Sequence, residues 1–248
     1  MIMMRQVYTY IKHDRPRFRH FQKEWINEHR DEWHLAREAV KQANTSAYPF
    51  EPDVEKAEFT VFDLETTGFS MHMGDEILSV GGVHFKKNQT DAEDFYSVVR
   101  SSKPIPPVVT KLTGLTDTDT REGEAFPSVL IKFLRFTHGR ILSAHPASFD
   151  VPFLEAMCRR WNLPLLKMPV LDTAKLAALL YPGQDTSLEA LLSRFQLAER
   201  QGHHALTDAK ITAEVLQHLL EKAAEENYWS LPSLIKDTHR VAGKRRRI

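Results

Sequence analysis

A single cysteine, Cys158, stands in 248 residues. No internal disulfide can form and no thiolate cluster is available for structural zinc, which fits a reducing compartment. Any metal must therefore be held by oxygen or imidazole ligands. Net charge is also lacking: 33 Lys+Arg balance 33 Asp+Glu, which excludes a histone-like polycation. No run approaches the roughly 18 to 20 consecutive apolar residues of a membrane span. The amino terminus, MIMMRQVYTYIK, lacks the roughly 7 to 15-residue apolar stretch of a secretory signal. A soluble, cytoplasmic chain with no membrane partner is expected. No repeat recurs at a period of roughly 20 to 50 residues. Ten glycines, 13 prolines, 42% hydrophobic and 27% charged residues exclude wholesale disorder and collagen-like sequence. What remains is an ordinary globular composition, with length for one full domain plus an appendage or for two small domains.

Between residues 15 and 43, Phe18, Phe21, Trp25, Trp33, Ala36 and Val40 recur at near-helical spacing among Arg15, Arg17, Arg19, Lys23, Arg30 and Arg37. One or two amphipathic helices are expected. Residues 44–56 contain Pro49 and Pro52 and no periodicity, which predicts a linker. The expected divisions are a helical extension with its linker over 1–55, a main domain over 56–225 and a carboxy-terminal segment over 226–248. Lys244, Arg245, Arg246 and Arg247 read as a solvated basic tail. From Glu58, FTVFDLE, ILSVGGVHF and FYSVVR predict three strands in an antiparallel meander. A Pro-rich connection follows. Helices are then expected over 126–136, 149–161, 174–180, 188–195 and 205–223, with short strands over 140–144 and at Val170 and Leu171. This order implies a mixed sheet covered by helices.

The chemistry-bearing residues begin in the first strand. Alternate side chains share a face, so Phe59, Val61, Asp63 and Glu65 lie on one side, with the two carboxylates roughly 6.6 to 7 Å apart along the chain. Burying unpaired carboxylates is costly, so they need cations, basic side chains or water at the strand's open end. Alone, the pair fits a salt-bridged or solvated arrangement better than a site. In LSAHPASFDVPFL, a strand runs into a helix with Ser148 as the expected N-cap, placing Asp150 in the first turn. The macrodipole alone accounts for an acid there. In HHALTDAKITAEVLQHLL, Ala205, Ile211, Val215, Leu216 and Leu219 form an apolar stripe, with Asp208 on the buried side in need of a positive partner. His203 would lie ~140° from Asp208 around a continuous helix, so it is expected in the entering loop, free to reach over the same site.

DLETTG at Asp63–Gly68, HPASFDVPFL at His145–Leu154 and HHALTDA at His203–Ala209 resemble the three exonuclease motifs of the DnaQ-like, or DEDDh, 3'–5' exonucleases. That superfamily includes proofreading epsilon subunits and the exonuclease insert of Gram-positive PolC-type polymerases. The likeness extends through KLTGLTD, LDTAKLA and SLEALLSRF and covers about Phe59 to Leu220. It implies a ribonuclease H-like α/β fold, with a central five-stranded mixed sheet flanked by helices and the helical extension outside it. The family's four acids fall on Asp63, Glu65, Asp150 and Asp208, and its histidine on His203, with His204 as the neighbouring alternative.

Such a carboxylate set suits two hard divalent cations, Mg²⁺ or Mn²⁺. His203, a group that titrates near neutral pH, is the expected general base. The implied reaction releases nucleoside 5'-monophosphates from a free 3' end, on DNA in preference to RNA, with single-stranded or frayed ends favoured. An exoribonuclease and a catalytically silent binding module are the alternatives. The resemblance places backbone contacts to the terminal sugar at Leu64, Thr66 and Thr67, an aromatic contact at Phe149, and His145 near the scissile phosphate. Pro146 departs from the family, whose members commonly carry Asn there, and removes an amide side chain and a backbone donor. No polymerase or helicase segment fits in 248 residues. The chain is therefore expected to act alone or in trans, with a polymerase or repair complex as partner. The extension is expected to support the domain, bind a partner or lengthen the nucleic-acid track.

Overall fold

Five strands form the centre of the structure, a computed structural model that describes residues 7–45, 53–87, 93–200 and 202–244. They are β1 (Glu58–Thr66), β2 (Ile77–Lys86), β3 (Asp94–Val98), β4 (Ile141–Ala144) and β5 (Val170–Asp172), in the order β3-β2-β1-β4-β5. The expected meander forms the antiparallel half, β3-β2-β1. The β1–β4 and β4–β5 pairs are parallel, which requires crossovers, and helices supply them.

The helices are α1 (Arg15–Glu28), α2 (Arg30–Thr45), α3 (Pro107–Thr113), α4 (Asp117–Glu122), α5 (Phe126–Phe136), α6 (Ala147–Arg160), α7 (Thr173–Leu180), α8 (Leu188–Phe195), α9 (Ala205–Glu225) and α10 (Leu231–Lys244). A π-helical turn, Tyr10–Asp14, precedes α1, and a 3-10 turn, Met71–Met73, follows β1. Strand β1 is buried on both faces, and its two-residue period sorts the side chains between two cores. Phe62 and Leu64 pack with α5 and α6; Phe59 and Val61 pack with α7, α8, α9 and α10. Asp63 and Glu65 continue the second set toward the strand's carboxyl end.

The amino-terminal helices belong to the first core. Trp161, fully buried, sits at the end of α6 with the rings of Phe18, Phe21 and Trp25 nearly perpendicular to it at 5.4–5.7 Å between centroids. Polar contacts fix the same seam: Gln22 Nε2 donates to Arg160 O at 2.7 Å and Trp33 Nε1 to Trp161 O at 2.9 Å. Asn44 and Thr45, expected in the linker, instead end α2. Asn44 donates to Leu165 O and accepts from Lys167 N, both at 2.7 Å, which holds that last turn on the body. Pro49, Pro52 and Arg245–Arg247 lie outside the described residues.

Three helices were not legible as such. Helices α3 and α4, in the expected Pro-rich connection, span only seven and six residues, too few to show a full apolar stripe. The available signal was the Thr116–Asp119 capping box that opens α4. Helix α10 occupies the expected carboxy-terminal tail, where Leu231 and Leu234 bury completely and Val54 N donates to Trp229 O at 3.0 Å.

Candidate active site

The four acids converge from three elements. Asp63 and Glu65 lie near the carboxyl end of β1, Asp150 in the first turn of α6 and Asp208 in the first turn of α9. Glycine permits the last of these approaches. Gly81 on β2 pairs with Asp63 on β1, and a Cβ there would lie 2.2 Å from the Ala205 carbonyl carbon and the Leu206 nitrogen. Only a residue without a side chain lets the start of α9 rest on the sheet at this level.

The expected N-cap at Ser148 is incorrect. Helix α6 begins at Ala147 with Pro146 in the cap position, following a cis peptide bond, and Pro146 offers no side-chain acceptor. The buried Asp172 carboxylate at the end of β5 serves instead. It accepts from Ser148 N at 3.0 Å and from Lys175 N at 3.1 Å, capping α6 and α7 together. A tertiary acceptor thus replaces a local one.

Asp150 and Asp208 are each 2% exposed and Glu65 8%. Glu65 Oε1 and Asp208 Oδ1 are buried with no hydrogen-bond partner, and Asp208 Oδ2 is buried against Arg200 alone. Their electrostatics follow. Burial, then the charges of Asp150, Glu65 and Asp208, hold Asp63 well above the usual carboxylate range. Burial also raises Asp150 strongly, against the backbone N–H groups of Asp150 and Leu64 that stabilise its charge. Glu65 is pushed up to about 7 by burial and by Asp208. Asp208 is raised by burial, with Arg200 opposing. The protein alone does not neutralise this cluster.

Arg200 is the one cation that reaches it among the described residues, a partner the sequence required without identifying. Its Nη2 lies 2.7 Å from Asp208 Oδ2 as an ion pair and also contacts His203 Nδ1. Its place three residues before His203, in the loop entering α9, was the only local sign. His203 joins the cluster from that loop: one ligand atom each from Glu65, His203 and Asp208 all lie within 4.8 Å of one another. Burial and Arg200 lower the His203 pKa, against Asp208 and Glu189, which favours the neutral ring. His204 instead stacks on Tyr96 of β3, with 4.6 Å between centroids.

The remaining expected contacts divide. Thr67 is buried, its N–H donated to Glu76 O at 2.9 Å and its hydroxyl to Asp75 Oδ1 at 3.0 Å, so neither group is free for a substrate. Leu64 N–H serves Asp150, and the Thr66 hydroxyl donates to Gly68 O. His145 Nδ1 lies 2.8 Å from Thr173 Oγ1, which donates its own proton to Ala144 O, so the imidazole is the donor in that pair. Phe149 is half-buried between Phe153 and Phe69, and Phe69, not anticipated, is 84% exposed.

The profile of the family described as Exonuclease matches residues 60–216, which contain every one of these side chains. The chain is 37% identical over 171 residues to the PolC-type DNA polymerase III of Caldanaerobacter subterraneus subsp. tengcongensis and 38% identical over 174 residues to that of Streptococcus agalactiae. These alignments cover 68% and 70% of the chain but 12% of each polymerase. Among solved structures, exonuclease X in complex with 5' overhanging duplex DNA matches at TM-score 0.57 and 24% identity, over 73% of this chain and 99% of that one. The nuclease domain of 3'hExo, a DEDDh family member bound to rAMP, matches at TM-score 0.61 and 18% identity, over 68% and 94%. With its motifs, its sheet topology and the family match in agreement, the chain belongs to the exonuclease family, as a member of the DnaQ-like 3'–5' exonuclease superfamily.

Proposed function

We propose that this chain hydrolyses the terminal phosphodiester at a free 3' end of DNA, single-stranded or frayed, and releases nucleoside 5'-monophosphates one at a time. One observation carries the reading: Glu65, His203 and Asp208 each bring a ligand atom within 4.8 Å of one another, and the buried Asp63 and Asp150 carboxylates couple electrostatically to the same cluster, with Arg200 as its one cation among the described residues. Such donors fit hard divalent cations, Mg²⁺ or Mn²⁺, better than any side-chain partner present. Asp63, Glu65, Asp150 and Asp208 would hold them. Bound there, divalent ions supply Lewis-acid activation of water and neutralise charge that develops on the phosphate.

The chain's own groups do the rest. His203 takes the proton of the attacking water on a ring nitrogen, and Arg200 beside Nδ1 keeps the ring neutral and receptive. The water oxygen bonds to phosphorus as the bond to the penultimate nucleotide's 3' oxygen breaks, and that oxygen takes its proton from solvent. The exposed Phe69 and half-buried Phe149 offer a stacking surface for the terminal bases, and an aromatic face accepts any base. Contacts of Thr66 to the terminal sugar and of His145 to the scissile phosphate complete the reading, on the family resemblance of their motifs. The polymerase relatives support DNA over RNA and an association with a polymerase or repair complex.

End-labelled DNA and RNA oligonucleotides, incubated with Mg²⁺, Mn²⁺ or EDTA, test this. Metal-dependent stepwise shortening from the 3' end, faster on DNA and absent in Asp63→Ala, is expected. Faster loss of RNA would move the reading to an exoribonuclease, and binding without cleavage under any metal would move it to a silent module.

A further inference from the structure

A cavity of about 270 Å³ opens where the amino-terminal helix α1 meets the end of α6, outside the residues that match the family along one wall and inside them along the other. Arg15 and Arg19 of α1 face Arg159 and Arg160 of α6 across it, with Tyr10 and Phe18 among the other lining residues and no carboxylate. The four guanidinium groups differ in their commitments. Arg160 is built in: it lies 3.8 Å from the Phe18 ring centroid, donates to Asp75 O at 3.0 Å and sits 3.5 Å from the buried Glu76. Arg159 pairs with Glu155 at 3.2 Å. Arg15 and Arg19 are exposed and have no acidic partner among the described residues.

That arrangement has a cost and no internal compensation. Like charges four apart on a helix disfavour it, and residues 12–23 hold five Lys or Arg against Asp14 alone. An anion in the cavity would offset it, and guanidinium forks match phosphate oxygens. The location supplies the rest. Tyr10 packs against Gly74, where an added Cβ would lie 2.6 Å from its ring. Asp75, which accepts from Arg160 through its carbonyl, also accepts from the Thr67 hydroxyl through its carboxylate. A single residue therefore separates this cavity from the loop that leaves Asp63 and Glu65.

We propose that the cavity binds backbone phosphates of the substrate strand, internal to the 3' end held at the carboxylates. This rests on the reading of the chain as a nuclease on nucleic-acid ends. It makes the amino-terminal helices both a structural wall and the far part of the nucleic-acid track.

The test compares the full chain with Arg15→Ala/Arg19→Ala, and with Arg15→Lys/Arg19→Lys as the charge-preserving control. Fluorescence anisotropy in EDTA measures binding of oligodeoxythymidylate of about 20 nucleotides and of a trinucleotide, across a salt series. The alanine variant should melt as the parent does, bind the long strand several-fold more weakly, and show a salt slope shallower by roughly 1.4, the value for two lost phosphate contacts on a single strand. Trinucleotide binding and its metal-dependent hydrolysis should be unchanged, and the lysine variant should recover most of the salt slope. Unchanged long-strand affinity and slope in the folded alanine variant would overturn the proposal and leave an acidic protein surface as the occupant. Inorganic phosphate that displaces the long strand at micromolar concentration, only when Arg15 and Arg19 are present, would overturn it in favour of a free-anion site. Arginine-dependent binding by a protein that cleaves nothing would support the cavity and refute the nuclease reading; cleavage with arginine-independent binding would do the reverse.

Discussion

Glu65 Oε1 and Asp208 Oδ1 are buried without a hydrogen bond, a condition native proteins rarely tolerate outside functional sites, and Asp208 Oδ2 has only the Arg200 guanidinium. His203 shares their cluster, whereas His204 stacks on Tyr96. The two adjacent histidines therefore predict opposite phenotypes. His203→Ala should lower kcat roughly 10²- to 10⁴-fold, the range for a lost general base, and His204→Ala should stay within a few-fold of the parent; steady-state hydrolysis of a labelled oligonucleotide decides it. Equal losses in both would remove the assignment. The candidate acids and His203 stood out through the three motifs that resemble the DnaQ-like exonucleases, since taken alone each acid had an ordinary structural explanation. Arg200 did not: nothing in AERQG distinguishes it from a surface arginine until the loop folds back over Asp208.

At the level of elements, the site depends on how closely α9 approaches β2. Gly81 lies in the sheet row formed by Asp63, Gly81 and Tyr96, and its missing side chain makes room for the Ala205 backbone. Gly81→Ala should push α9 off the sheet, carrying His203 and Asp208 with it. Activity should fall at least tenfold while the circular dichroism spectrum stays native-like; parent-level activity would show that the helix can shift at no cost. The hydrophobic periods located all five strands and the longer helices other than α10. They could not reveal this close approach, which is a contact between segments more than a hundred residues apart. Asp172 is a similar case. Its carboxylate caps its own helix, and the capping of α6 exists only because β4 and β5 run parallel and bring two helix starts together.

For the whole molecule, the amino-terminal helices complete a core instead of hanging from it. Trp161→Ala should cost about 3–5 kcal/mol in urea unfolding, with one transition for the extension and the sheet together; a separate early transition would mark an independent unit. The carboxylates set the pH dependence of the metal-free protein. A carboxyl with a raised folded pKa stabilises the fold below its unfolded value, and that contribution is lost as pH rises through the folded value. Glu65, raised from 4.5 to about 7, should therefore lower the Tm as pH rises from about 4.5 through 7, with Asp63 and Asp150 acting in the same sense. His145 and His203, both lowered mainly by burial, act in the opposite sense, but only below the ordinary histidine range of about 6.5. Divalent metal should raise the Tm more at pH 8 than at pH 6, since it binds the ionised acids; a rise independent of pH would contradict this. The most direct test of the account is a Mn²⁺ titration followed by electron paramagnetic resonance at pH 8, on the parent and on Asp63→Asn. It predicts about two bound ions per parent chain and the loss of at least one in the variant. No binding by the parent, or the same binding by both, would contradict the claim that these buried carboxylates form a cation site.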